Sequence, residues 1–188
     1  MTTRNNRYLF LVAFTSGTLS LALELSAGRL LAPAFGTTEL VWSAIIGLIL
    51  LYLSAGHMIG GAWADRSPTA ATLYTILTCA GWSIALIPVS SRPLLRIAAQ
   101  GMRVWNLGML AGPFIAILLL FAVPVTLLGM ISPYIIRLTV QGVVGSGKVT
   151  GRIYALSTAG SFIGTFLPNL VLIPNLGTWR TFMLLAML

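Results

Sequence analysis

The sequence predicts an all-α integral membrane protein: one polytopic domain over 1–188, with five full transmembrane helices and a truncated sixth. Three observations carry this. Hydrophobic residues make up 57% of the chain and charged residues 7%. A water-soluble domain carries about 25% charged residues, so this chain cannot cover its surface with charge and its main solvent is lipid. Mean hydropathy is +0.96. The apolar residues fall in runs close to the ~20 residues that cross a ~30 Å hydrocarbon core.

Each element follows in chain order. The spacing places helix 1 near 8–32, ended by Pro33 and Gly36. Its apolar run follows Arg4 and Arg7 but is too long for a signal-peptide core of about 7–15 residues, so it is read as retained. Helix 2 is placed near 40–63 and helix 3 near 69–89, with Ser67 as its cap and Pro68 at its first position. Ser90 to Arg103 reads as a separate interfacial amphipathic stretch. Helix 4 is expected near 106–131, bent or broken by Pro113 and Pro124, with Pro133 just beyond. Helix 5 is placed near 150–173. Pro174, Asn175 and Gly177 then separate it from a sixth helix, 178–188, which is too short to cross.

The net charge of +8 comes from eleven Lys or Arg against three acids. In a soluble protein this would point to nucleic acid. Here the basic residues are scattered between apolar runs, as membrane-flanking arginines are, so no nucleic-acid partner is expected. With the N-terminus in the cytoplasm, Arg4, Arg7, Arg66, Arg137, Lys148 and Arg152 lie inside. Arg29, Arg92, Arg96, Arg103 and Arg180 lie at the outer face. Trp42, Trp63, Trp105 and Trp179 fall at interfaces, as an aromatic belt would. The single cysteine, Cys79, reads as a small buried residue.

An internal repeat is visible. Gly47, Ala55, Gly56, Ile59 and Gly60 match Gly151, Ala159, Gly160, Ile163 and Gly164 at one constant offset. Helix 2 therefore mirrors helix 5, as in two three-helix units of opposite orientation. Gly56-x-x-x-Gly60 and Gly160-x-x-x-Gly164 are close-packing faces, where glycine lets backbones approach.

Five further features could carry function. Glu24 is a carboxylate inside helix 1, and its helical neighbours Gly17, Ser20, Ala27, Gly28 and Leu31 are mostly small. A charge held inside a membrane segment marks a proton or cation path, or a structural bond to another helix. His57 in helix 2 and Glu39 at its start are further candidates for such a path. As the sole histidine, His57 cannot build a His-rich metal site, and no G-x-S-x-G elbow supports a hydrolase. Gly142 to Val149 approaches a phosphate loop, but valine stands where the magnesium-binding hydroxyl belongs. Asp65-Arg66 closes helix 2 as an interfacial charged pair.

The stretch Gly60-Gly61-Ala62-Trp63-Ala64-Asp65-Arg66 resembles the helix 2–3 loop of the major facilitator superfamily, where glycine precedes Asp-Arg and the loop gates alternating access. The later glycine and basic run are replaced by Ser67-Pro68-Thr69. The implied fold is half of a major-facilitator bundle, a 3+3 repeat. A longer set of motifs runs in order through the chain. It comprises Glu24 to Pro33 with Phe35-Gly36, Val41-Trp42, Gly60-Gly61 to Arg66, Leu128 to Tyr134, Gly151 to Ser161, Gly164-Thr165-Phe166 and Gly177-Thr178. Together these resemble the membrane domain of the spermidine-synthase-like membrane proteins, the fused transporter-like/spermidine synthase family. His57 stands where that family implies an aromatic residue.

The resemblance implies a transporter-like or anchoring module linked to polyamine metabolism, in the plasma membrane. Its expected partners are the lipid bilayer, a protein partner or C-terminal synthase-like domain, and a polyamine or other small cation. The aminopropyltransferase-like domain, with its decarboxylated S-adenosylmethionine and putrescine, falls outside this sequence. The chain is therefore read as non-enzymatic, with no catalytic residues, cofactor or metal. The alternatives are a non-transporting subunit or assembly factor of a larger membrane complex, and an intramembrane enzyme built on His57.

Overall fold

In hydrocarbon every backbone N–H and C=O must find its partner within the chain, which leaves helices as the economical solution for uninterrupted apolar runs. A computed structural model describes residues 3–104, 111–140 and 145–188, and among these the regular structure is entirely helical. The helices are α1 (Thr3–Phe35), α2 (Glu39–Arg66), α3 (Ala70–Val104), α4 (Ala111–Thr139), α5 (Ser146–Leu167) and α6 (Ile173–Met187), with a π-helical turn at Pro168–Leu172. Five helical stretches are long and apolar enough to cross a membrane.

The boundaries refine those read from sequence. Helix α1 continues through Pro33 to Phe35 and stops at Gly36, whose φ of 77° suits glycine after a helix end. Thr38 caps α2, its hydroxyl accepting from the Val41 N–H at 3.4 Å. Ser67 does not cap α3. Instead its N–H donates to the Trp63 carbonyl, closing α2, and Thr69 caps α3 by accepting from the Thr72 N–H at 3.3 Å. Pro68 therefore precedes the cap and keeps the turn extended.

Two breaks expected from sequence are absent, and one moves. The segment 90–103 is not a separate interfacial helix, since α3 runs unbroken through Pro88 and Pro93 for 35 residues. Helix α4 is likewise one element through Pro124 and Pro133 to Thr139, and the expected start at 106–110 lies outside the described residues. Between α5 and α6 the chain stays helical through Pro168 and Pro174. The π turn absorbs the donor lost at Pro168, with the Ile173 N–H reaching the Pro168 carbonyl. The true break is Gly177, at φ 78° and ψ 163°. Cys79 is exposed rather than buried.

Helices α1 and α4 form the centre. In their most apolar windows 56% of residues are buried, against 28% in α2 and α3. Helix α2 packs chiefly on α4, and α5 chiefly on α1, while α3 lies against α4 and α6. The two main interfaces repeat one another residue for residue. A Cβ on Gly56 would strike the Thr126 carbonyl oxygen, and one on Gly160 the Phe14 carbonyl oxygen. Gly60 lies on the Met130 backbone, and Gly164 on that of Thr18. From the other side, Gly129 abuts the Leu53 carbonyl and Gly17 the Ser157 carbonyl. One offset relates α2 to α5, and a second constant offset relates Phe14, Gly17 and Thr18 to Thr126, Gly129 and Met130.

These contacts predict a sharp contrast among glycines. Gly56→Ala or Gly160→Ala forces backbones apart and should destabilise the bundle by about 1–3 kcal/mol, the usual cost of overpacking. Gly47→Ala and Gly151→Ala meet open space and should leave stability unchanged. Thermal unfolding in detergent, read by fluorescence-detected gel filtration, checks the contrast. Equal behaviour of all four variants would refute the close-packing assignment.

Candidate functional site

Glu24 lies on α1 between two filled contacts. One turn toward the C-terminus, Gly28 is covered by the Trp42 ring of α2. Two turns toward the N-terminus, Gly17 lies against Ser157 of α5, where the Ser161 hydroxyl donates to the Gly17 carbonyl at 3.1 Å. The small neighbours that seemed to leave room are thus partly occupied, and Ala27 and Leu31 are wholly buried in the core. Between these contacts the Glu24 carboxylate is half-buried. Among the described residues it has neither a hydrogen-bond partner nor an ion-pair partner.

The three path residues read from sequence do not converge. Glu39 is exposed in the first turn of α2, where a carboxylate complements the helix dipole. His57 is 18 residues further along the same helix, ~27 Å away at 1.5 Å per residue. It is exposed on the outer side of α2 and makes no hydrogen bond among the described residues. At the offset relating α2 to α5, His57 occupies the position of Ser161. Gly28 meeting Trp42 fixes the register of α1 against α2. That register leaves Glu24 ~10 Å from the level of Glu39 and ~16 Å from that of His57. Only Glu24 therefore stands as a candidate inside the bundle.

The charged end of α2 is built differently from its sequence reading. Asp65 does not pair with Arg66. Its Oδ1 accepts from Nε of Arg137 on α4 at 3.0 Å, with both side chains substantially exposed. Beside this pair the Tyr134 hydroxyl, on a fully buried ring, donates to the Ser67 carbonyl. Two side chains of α4 thus hold the α2–α3 turn. Sequence reading placed Arg137 only at the inner face and Tyr134 only at the end of a motif, because no local pattern links them to a turn 67 residues from Tyr134 and 72 from Arg137.

The opposite end carries a related contact. Asn169, which stands at the α2-to-α5 offset from Asp65, accepts from Nε of Arg29 at 3.2 Å. The repeat marks Asn169 as the counterpart of Asp65, but its arginine partner does not follow from the repeat, since the α1-to-α4 offset takes Arg137 to Leu25. The two ends differ in charge: a carboxylate meets arginine at one, and a neutral amide at the other. The residues Gly142 to Val144 of the phosphate-loop-like segment, and Trp105, lie outside the described residues.

Comparison with family models, with curated proteins and with solved structures finds no match for this chain.

The Asp65 turn gives a ranked prediction. Tyr134→Phe removes a hydrogen bond to a turn carbonyl and should cost about 1 kcal/mol or more. Asp65→Asn breaks an exposed pair and should cost about 0–1 kcal/mol. Melting in detergent should therefore fall further for Tyr134→Phe. The reverse order would make the ion pair, and not the phenol, the stronger hold on the turn.

Proposed function

We propose that the chain is a transporter-like membrane module, equivalent to half of a major-facilitator bundle, in which Glu24 meets a small cation or proton. The observation that carries this reading is the placement of Glu24. A carboxylate without a partner, held between the α5 and α2 contacts of the central helix, is costly in an apolar bundle and is expected where ions pass. The matched interfaces α1–α5 and α2–α4 support a 3+3 arrangement in which α1 to α3 and α4 to α6 are inverted equivalents. The Asp65 turn, tied to α4, suits a connection that couples the two units. The motif resemblance to spermidine-synthase-like membrane proteins supports a polyamine as the cation and a synthase-like domain or chain as the partner. The basic residues near the N-terminus support a cytoplasmic N-terminus in the plasma membrane.

A second reading, a non-transporting subunit of a larger assembly, draws on one observation. Helices α2 and α5 expose large apolar side chains, among them Leu50, Leu51 and Met58 on α2 and Phe162, Ile163 and Phe166 on α5. These face either lipid or a further bundle. Purification in mild detergent separates the cases, because a stable monomer counts against an obligate subunit.

The transport reading predicts that proteoliposomes take up labelled spermidine or putrescine, or carry protons, and that Glu24→Gln brings flux down to that of empty vesicles. The variant should elute and melt as the native chain does, since Glu24 holds no neighbour in place. Unchanged flux in a folded Glu24→Gln variant would remove this residue from the mechanism.

A further inference from the structure

A cavity of about 640 Å³ opens at the end of the bundle opposite Asp65. Arg29 of α1, Arg92 and Arg96 of α3, and Trp179 of α6 line it, over walls that include Leu30 and Leu95. We propose that it binds the anionic head of a phosphate-bearing amphiphile, with the attached apolar chain lying along the walls and leaving toward the bilayer.

Depth comes first. Helix α3 begins at Ala70, beside the α2–α3 turn. Arg92 lies ~33 Å along the helix from that point and Arg96 ~39 Å. A hydrocarbon core is ~30 Å thick, so both guanidinium groups reach the far headgroup layer. Trp179, about half exposed, sits at the same cavity, where an amphipathic ring belongs.

Charge comes second. The chain has three acids; none of them lines this cavity, and Asp65 is engaged by Arg137 at the far end. Arg92 and Arg96 make no hydrogen bond or ion pair among the described residues. Arg29 is held through Nε by the neutral Asn169, which orients the guanidinium without cancelling its charge. The other nitrogens of Arg29 remain available. Spaced four apart, Arg92 and Arg96 share one face of α3. Three guanidinium groups around one opening present paired donors to a tetrahedral anion, the geometry in which arginine outperforms lysine.

Shape comes third. The cavity volume falls in the range of small-molecule sites, enough for a headgroup and the first part of a chain but not a whole phospholipid. Its apolar lining disfavours a bare inorganic anion. The head could belong to a lipid of the surrounding leaflet or to a soluble alkyl phosphate.

The experiment is native mass spectrometry of the full chain in mild detergent, with phosphatidylglycerol or phosphatidylcholine added, and then with hexyl phosphate as competitor. Retention of phosphatidylglycerol should exceed that of phosphatidylcholine by about tenfold. The advantage should vanish in the double variant Arg92→Gln, Arg96→Gln and survive in Arg152→Gln, an exposed arginine on α5 at the other end. Arg92→Lys with Arg96→Lys should retain part of it. Displacement by hexyl phosphate assigns the site to soluble alkyl phosphates as well, and retention in its presence assigns it to lipid. Equal retention of the two lipids by the native chain, or a preference that the double glutamine variant keeps, overturns the proposal.

Discussion

The bundle depends on backbone-to-backbone contact at two glycine seams. Gly160 and Gly164 let α5 lie on the carbonyls of Phe14 and Thr18, and Gly56 and Gly60 let α2 lie on Thr126 and Met130. Lipid tails are as apolar as the side chains, so burying apolar area does little to hold these helices together. Close dispersion contact and a few cross-helix hydrogen bonds must do so instead. The Ser161 to Gly17 bond sits in one such seam. Every other placement follows: with α2 and α5 fixed on α4 and α1, the central pair is set, and α3 is left to pack on α4 and α6.

That frame explains how each of the three acids is tolerated. Asp65 is at a helix end and meets Arg137. Glu39 is at a helix start, where free N–H groups favour it. Glu24 has neither device. It sits mid-helix, between Gly28, which lies under the Trp42 ring, and Gly17, which lies on the Ser157 backbone. These contacts fix the position of the helix but offer the carboxylate no donor. The fold therefore accommodates Glu24 without a hydrogen-bond or ion-pair partner among the described residues.

The five membrane-length helical stretches and the glycine faces were legible in the sequence because both are local or periodic signals. Gly56, Gly60, Gly160 and Gly164 were read as close-packing residues, and each now lies against a partner backbone. Gly129, which meets Leu53 and Gly56 across the seam, was not read as close-packing, and Gly17, which meets Ser157, was read only as a small neighbour of Glu24. Proline misled in the other direction. Pro33, Pro124 and Pro174, read as ending, bending or breaking helices, each sit inside a helical element. The cap of α3 moved from Ser67 to Thr69 because Ser67 was already taken as the end of α2. His57 drew attention as the sole histidine, but its helix face points away from the core, and uniqueness in a composition says nothing of orientation.

The repeat is most informative where it fails. Asp65 and Asn169 hold equivalent places at the ends of α2 and α5, and each engages an arginine on the adjoining central helix. Replacing carboxylate by amide keeps the hydrogen bond and removes the neutralising charge. At the Asp65 end the pair is balanced and, with Tyr134, ties the turn to α4. At the Asn169 end Arg29 stays positively charged and joins Arg92 and Arg96 around an open cavity. Two matched seams thus lead to two ends that hold their arginines differently. At one, Arg137 is paired with a carboxylate. The other keeps its positive charge for something outside the chain, and a bilayer headgroup layer is where such charge finds its anion.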